Sequence, residues 1–272
     1  MDMNTFLSEV LAADAVVLKM TLGCIFGLCL GLTGVGGGVL LIPMLQVFCG
    51  MAPVLAVGTA STISAMVKVN ASIAHVRSRN VSWRQVMTLF IGAVPVTILV
   101  TQAVVFFNHH PVYGELTQSV VTMLVASVMI GSLASVLRKY LSSNKEVSIA
   151  SNIKPSKRKT IISGAFCGSV LGSTGVGGGV LLLPILNNVL HLDIKKAVGS
   201  SVVLALFLST IAALGYAKGG QTDVITAIWF LVGSFVGVPV SSMLMKKMSD
   251  NMVYLVTLVV ILISIVMYFQ TL

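Results

Sequence analysis

Nine consecutive residues occur twice in this chain, as Thr33-Gly34-Val35-Gly36-Gly37-Gly38-Val39-Leu40-Leu41 and as Thr174-Gly175-Val176-Gly177-Gly178-Gly179-Val180-Leu181-Leu182. Gly34, Gly36, Gly37 and Gly38 in the first copy, and Gly175, Gly177, Gly178 and Gly179 in the second, permit a tight reversal and leave backbone N–H groups unobstructed. An apolar segment resumes after each copy. As a helix, it would start at the glycines with free N–H groups and the positive end of its dipole, and such an end attracts anions. A nucleotide phosphate loop is a poorer fit, because no Lys-Ser or Lys-Thr follows the glycines and no strand precedes them.

The polar residues within apolar segments are the other candidates. Thr33 and Thr174 lead into the glycines, and Gln46 and Asn187 follow them at matching distances. Thr59, Ser61, Thr62 and Ser64 open the next apolar segment of one half, and Ser200 and Ser201 open its counterpart. Hydroxyls and amides complete an oxyanion's hydrogen bonds without trapping it by net charge. Each hydroxyl, taken singly, is equally suited to bonding its own helix backbone. Lys68 is the cation deepest in an apolar segment, where a charge is a functional candidate by default; snorkelling to the nearer surface is the competing account. Cys24, Cys29, Cys49 and Cys167 form no CxxC, which favours packing over a disulfide or metal framework. His75, His109 and His110 fall at segment ends and receive no role.

The repeat extends well beyond the nine residues. Gly172 stands 141 positions after Gly31, and the same offset joins Gly23, Gly27 and Pro43 to Gly164, Gly168 and Pro184, and Ala56-Val57-Gly58 to Ala197-Val198-Gly199. The chain therefore contains a duplicated unit. The glycines spaced by four before each block (Gly23, Gly27, Gly31 and Gly164, Gly168, Gly172) form a small-xxx-small pattern that packs helices closely.

Composition sets the solvent. Of 272 residues, 56% are hydrophobic and 9% charged, against roughly 25% charged in a soluble domain, so the chain is expected to be an all-α polytopic membrane protein. The opening residues Met1-Asp2-Met3-Asn4-Thr5 lack a basic n-region, so no signal peptide is expected. The net charge of +9 does not imply a nucleic-acid partner, because the positive residues lie in loops between apolar spans. Full-length spans are expected at about 54–75, 86–107 and 116–137 in the first repeat (1–137), and at about 198–216, 224–245 and 252–269 in the second (160–272). A basic linker, 138–159, joins the repeats. The glycine blocks break the segments 20–48 and 161–189 into arms of about 10 to 14 residues, roughly 15–21 Å of helix, each too short for a hydrocarbon core of ~30 Å.

Lys and Arg collect in cytoplasmic loops. Placing the linker inside, together with Arg77, Arg79 and Arg84, Lys195 and Lys196, and Lys246 and Lys247, requires 161–189 to return to the side it entered from. It is then a re-entrant hairpin. With 20–48 treated alike, both termini are outside, and only Lys19, Lys68 and Lys218 of the seventeen Lys and Arg residues are not inside. Each unit, a hairpin plus three spans, ends opposite its start, so the two are inverted in the membrane. Secondary transporters use this architecture, with their sites where broken helices meet at mid-depth.

At these residues the chain resembles the sulfite exporter TauE/SafE family, also called the toluene sulfonate uptake permease family. The resemblance lies in the doubled Gly-x-Gly-Gly-Gly with Pro43 or Pro184 five residues later, and in the Ala-x-Gly-Ser/Thr element at Ala56–Thr59 and Ala197–Ser200. It implies a bacterial inner-membrane carrier of small sulfur-containing anions such as sulfite, thiosulfate, sulfoacetate or other organosulfonates. The expectation is transport without enzymatic activity or cofactor, by alternating access at a midplane site between the hairpin tips. All eight acidic residues lie outside the spans or at their edges. With no acid available as a proton relay, export is favoured over uptake. Two alternatives stand beside it: a membrane thiol or sulfur-relay protein using Cys24, Cys29 and Cys167, and an anion channel with the tips as its filter.

Overall fold

The computed structural model describes residues 13–33, 38–141, 157–175, 181–190, 192–245, 248 and 250–270. Every element among them is helical: α1 (Ala13–Thr33), α2 (Gly38–Cys49), α3 (Pro53–Arg77), α4 (Trp83–His109), α5 (Gly114–Leu141), α6 (Lys157–Thr174), α7 (Leu182–Pro184) running into a π-helical turn (Ile185–Val189), α8 (Ile194–Lys218), α9 (Val224–Met245) and α10 (Asp250–Phe269). The all-α expectation holds. Among the described residues, six helical segments are long and apolar enough to cross a membrane: Ala15–Leu32, Pro53–Arg77, Trp83–His109, Gly114–Arg138, Lys195–Lys218 and Val224–Ser241.

The arms before the glycines are longer than expected. α1 has 21 residues and α6 has 18, not 10 to 14. The expectation treated Lys19 and the run Lys157-Arg158-Lys159 as loop, whereas both are helical. Lys and Arg are good helix formers, and their long stems let the charge reach a polar surface from within a helix. Helix also claims both ends of the expected linker, and the remaining residues, 142–156, lie outside the described ones. The C-terminal helix α10 covers the stretch 252–269 that was expected as a span.

α3 and α8 form the centre. Of their apolar windows, 61% and 56% of residues are buried, against 22% in α1 and α5. They run antiparallel. A Cβ added at Gly58, near the start of α3, would lie 1.8 Å from the carbonyl oxygen of Gln221, just past the end of α8. One added at Gly199, near the start of α8, would lie 2.2 Å from that of Asn80, just past the end of α3.

The outer packing pairs helices from different halves. α1 lies along α9, with Gly23 against Phe230 and Gly27 against Ser234; α6 lies along α4, with Gly164 against Leu89 and Gly168 against Ala93. Position numbers rise together in both pairs, so each is parallel. At Gly23 and at Gly164 alike, a Cβ would fall 2.3 Å from the facing backbone oxygen. In lipid, helix association depends on this close van der Waals contact rather than on a hydrophobic driving force. The small-xxx-small glycines thus do the packing work expected of them.

The helices that open and follow each broken segment, α1 with α3 and α6 with α8, start at a shared end of the bundle. α1 starts beside the start of α9, because a Cβ at Gly233 would lie 2.0 Å from the oxygen of Met20. α3, which follows α2, is hydrogen-bonded near its own start to the residue preceding α9. The second segment behaves in the same way at the other end. α6 starts beside α4, with Gly92 2.2 Å from the oxygen of Ile161 by the same measure, and α8 starts at the 78–82 turn.

Candidate functional site

Gly34, Gly36, Gly37, Gly177, Gly178 and Gly179 lie outside the described residues. The second tip is visible on its approach. α6 ends at Thr174, and Gly175 adopts φ +63°, the left-handed region in which a helix commonly terminates on glycine. Its N–H donates to the oxygen of Leu171 at 2.8 Å. This turn is pressed against the first turns of α3, toward the 219–223 end of the bundle. A Cβ at Gly175 would sit 2.7 Å from Ser61 Oγ and 2.9 Å from the oxygen of Val57. Both belong to α3, so the tip of the second half meets the central helix of the first. The surroundings are buried and polar, with Ser61 at 0% exposure and Thr174 at 1%. In the first copy, Thr33 closes α1 and Gly38 opens α2.

The structure brings Ser61, Thr174 and Gly175 into one neighbourhood. The Ser61 hydroxyl donates to the oxygen of Val57 at 2.8 Å and Thr174 donates to Val170 at 2.6 Å; Ser201 donates to Val198 at 2.8 Å. Each proton is spent on its own helix, and donating it to an anion requires the hydroxyl to rotate. Thr59 and Ser200 play a different part. Thr59 Oγ1 accepts the N–H of Asp223 at 3.0 Å, and Ser200 Oγ accepts the N–H of Ser82 at 2.9 Å. They sit at opposite ends of the α3–α8 pair and do not share a site. Asn187 is drawn to the base of its hairpin, where Nδ2 donates to the oxygen of Leu192 at 3.0 Å. Its counterpart Gln46 is buried in α2. Lys68 donates from Nζ to Ser64 Oγ one turn back on α3, about 10 Å along the helix from Ser61.

Three residues at the second tip were not among the sequence candidates. Tyr216 Oη donates to the oxygen of Gly172 at 2.7 Å, and Thr101 Oγ1 donates to the same oxygen at 3.3 Å. Thr97 Oγ1 donates to the oxygen of Gly168 at 3.2 Å. Thr101 and Tyr216 hold the last turn of α6, where helical carbonyls run out of intrahelical partners, and Thr97 holds the turn before it. The sequence does carry a trace of this, since Thr97 and Thr101 repeat the four-residue spacing of Gly168 and Gly172. Nothing in the spacing singles out Tyr216.

No group of three His, Cys, Asp or Glu residues suited to a metal occurs among the described residues. No disulfide joins the four cysteines; Cys167 is buried and the others are half-buried. Cys24 and Cys29 lie on α1 and Cys167 on α6, helices that pack against different partners.

The chain resembles several proteins that carry the name of probable membrane transporters. It is 27% identical over 246 residues to the "Probable membrane transporter protein YjnA" of Bacillus subtilis (strain 168), covering 89% of this chain and 95% of that one. Over 258 residues it is 21% identical to the "Probable membrane transporter protein YunE" of the same organism, with 90% and 94% covered. A "Probable membrane transporter protein" of Xylella fastidiosa (strain 9a5c) shares 24% identity over 240 residues, 88% of each chain. No solved structure matches. The family model described as "Sulfite exporter TauE/SafE" matches residues 20–268. With that match covering nearly the whole helical bundle, this multi-pass membrane protein belongs to the sulfite exporter TauE/SafE family of transporters.

Proposed function

We propose that this transporter is a secondary carrier that exports a small sulfur-containing anion (sulfite, thiosulfate, sulfoacetate or another organosulfonate) by alternating access at a site between its two glycine-rich tips. The observation that carries the reading is the broken backbone at Gly175, buried against Val57 and Ser61 of α3. Irregular backbone at membrane depth persists only where protein or a wet cavity surrounds it. A helix that resumes beyond such a break aims free N–H groups and a positive dipole end into the bundle. In this reading the tip glycines and the Ser61 and Thr174 hydroxyls contact the anion. Gln46, Lys68, Asn187 and Ser201 line its approaches.

The inverted relation of the two halves belongs to the same proposal. What supports it is an exchange of contacts under the 141-residue offset: Gly23 on Phe230 answers Gly164 on Leu89, and Gly58 on Gln221 answers Gly199 on Asn80. Such an exchange describes a two-fold axis. Two helices related by an axis parallel to them run parallel, whereas α3 and α8 run antiparallel, so the axis lies across them and hence in the plane of the bilayer. The 78–82 turn and the linker then face the cytoplasm, as their Arg and Lys residues favour, and the 219–223 turn faces outward.

Export of one negative charge gains ~2.3 kcal/mol per 100 mV of inside-negative potential. The direct test is flux of sulfite, thiosulfate, sulfoacetate and taurine in proteoliposomes, with voltage and pH gradients imposed separately. Saturable, voltage-driven efflux with counterflow is expected. Flux of none of them, or flux that neither saturates nor shows counterflow, overturns the reading.

A further inference from the structure

Two hydrogen bonds occupy equivalent places at opposite ends of the molecule. Thr59 accepts the amide of Asp223, and Ser200 accepts the amide of Ser82. Both members of the second bond match those of the first under the 141-residue offset, Thr59 with Ser200 and Ser82 with Asp223. The amides belong to the residues that precede α9 and α4, and each of those residues is fixed to its own helix. The Asp223 carboxylate accepts the Thr226 amide at 2.9 Å, and the Ser82 hydroxyl donates to Gln85 Oε1. Those bonds match under the offset as well. Each hydroxyl is therefore clamped to the rigid start of a helix.

The helices so clamped carry the hairpins. α9 is packed backbone to backbone with α1, and α4 with α6, through glycines such as Gly233 and Gly92, where a Cβ would fall 2.0 Å and 2.2 Å from the facing backbone oxygen. Two rigid pairs thus flank the central α3–α8 pair, and one hydroxyl bond joins each flanking pair to the centre at the end where its hairpin enters. The Thr59 and Ser200 side chains are at 0% exposure, so neither hydroxyl oxygen has water as a substitute partner in this arrangement. A buried polar group that loses its partner stays costly until water reaches it. Breaking the bond and wetting that end of the bundle are consequently one event.

We propose that Thr59 and Ser200 are positioning residues, a matched pair of latches that each hold one end of the transport path shut, so that releasing either opens its own end alone. The proposal rests on the alternating-access reading above and gives that reading its moving parts: α1–α9 swings at the 219–223 end and α4–α6 at the 78–82 end. Both latches are closed in this structure. A hydroxyl is the common requirement, since one latch uses Thr and the other Ser.

The experiment places a reporter cysteine at Val57, which touches the second tip and is fully buried, in protein whose four native cysteines are replaced by serine. A membrane-impermeant maleimide is applied to right-side-out and to inverted vesicles, and the ratio of labelling rates from the two faces is read. Thr59→Val is expected to raise labelling from the 219–223 face relative to the other by roughly 5-fold, the factor given by the net worth of one hydrogen bond. Ser200→Ala is expected to move the ratio the opposite way by a similar factor. Thr59→Ser and Ser200→Thr, which keep the hydroxyl, should hold the starting ratio. A merely structural role, or a shared role as anion ligands, shifts both variants in the same direction or neither, and either result overturns the proposal. Should Thr59→Val fail to insert, Thr59→Ala asks the same question. If the reporter protein with both latches intact is labelled from one face only, alternating access itself fails; if it is labelled from both and the variants leave the ratio unmoved, only the latches fail.

Discussion

The phenol of Tyr216 donates to the carbonyl oxygen of Gly172 at 2.7 Å, one turn before the chain breaks at Gly175. Under the repeat offset the first half has His75 in this place, so the two tips are not moored alike. Tyr216→Phe removes the donor and leaves Thr101 as the remaining partner of that oxygen. The expected cost is about 1 kcal/mol of stability, visible as a small fall in Tm in detergent. The transport KM should rise several-fold while insertion stays normal. Unchanged KM would show that the mooring does not shape the site.

The parallel packing of α4 on α6 predicts a sharp difference between two glycines. A Cβ at Gly92 meets the backbone oxygen of Ile161 at 2.2 Å, whereas one at Gly131 on α5 meets nothing within 4 Å. Gly92→Leu should force the helices apart, with a loss of at least ~3 kcal/mol and little folded protein in the membrane fraction. Gly131→Ala should be neutral or stabilising by up to about 1 kcal/mol, from helix propensity alone. Fluorescence-detected size exclusion after heating compares the two.

The inverted arrangement predicts where two labels react. Ser151→Cys, in the basic segment between the halves, and Lys218→Cys, at the exposed end of α8, should lie on opposite sides of the membrane. In intact cells an impermeant thiol reagent should reach position 218 and not 151. Reaction at both, or at 151 alone, would contradict the orientation.

Much of this bundle was legible in the sequence because it is written in spacing. The duplicated block, the four-residue glycine rows and the apolar spans each follow from a local period, and α9 coincides with the expected 224–245. Two things were not legible. Lys19 and Lys157-Arg158-Lys159 looked like loop because charge marks a surface, yet a helix carries such residues at its ends without breaking. The glycine rows also announce close packing without naming the partner, so nothing showed that α1 would lie on α9 of the other half. The candidate site was read less well for a related reason. Thr59 and Ser200 stand at matching repeat positions and were expected as anion ligands, whereas their oxygens are engaged by the amides of Asp223 and Ser82, a contact that exists only once distant helices meet.

The central claim, that the anion is held at a backbone break pressed against α3, is tested most directly at Gly175. Any side chain there meets both the left-handed φ of +63° and contacts of 2.7 Å and 2.9 Å with Ser61 and Val57, a combined strain on the order of 1–3 kcal/mol at the tip itself. The measurement is voltage-driven sulfite and thiosulfate efflux from proteoliposomes containing equal amounts of inserted wild-type and Gly175→Ala protein. The account predicts a loss of at least 10-fold in the variant with its oligomeric profile in detergent unchanged; wild-type flux from a normally inserted Gly175→Ala protein would contradict it.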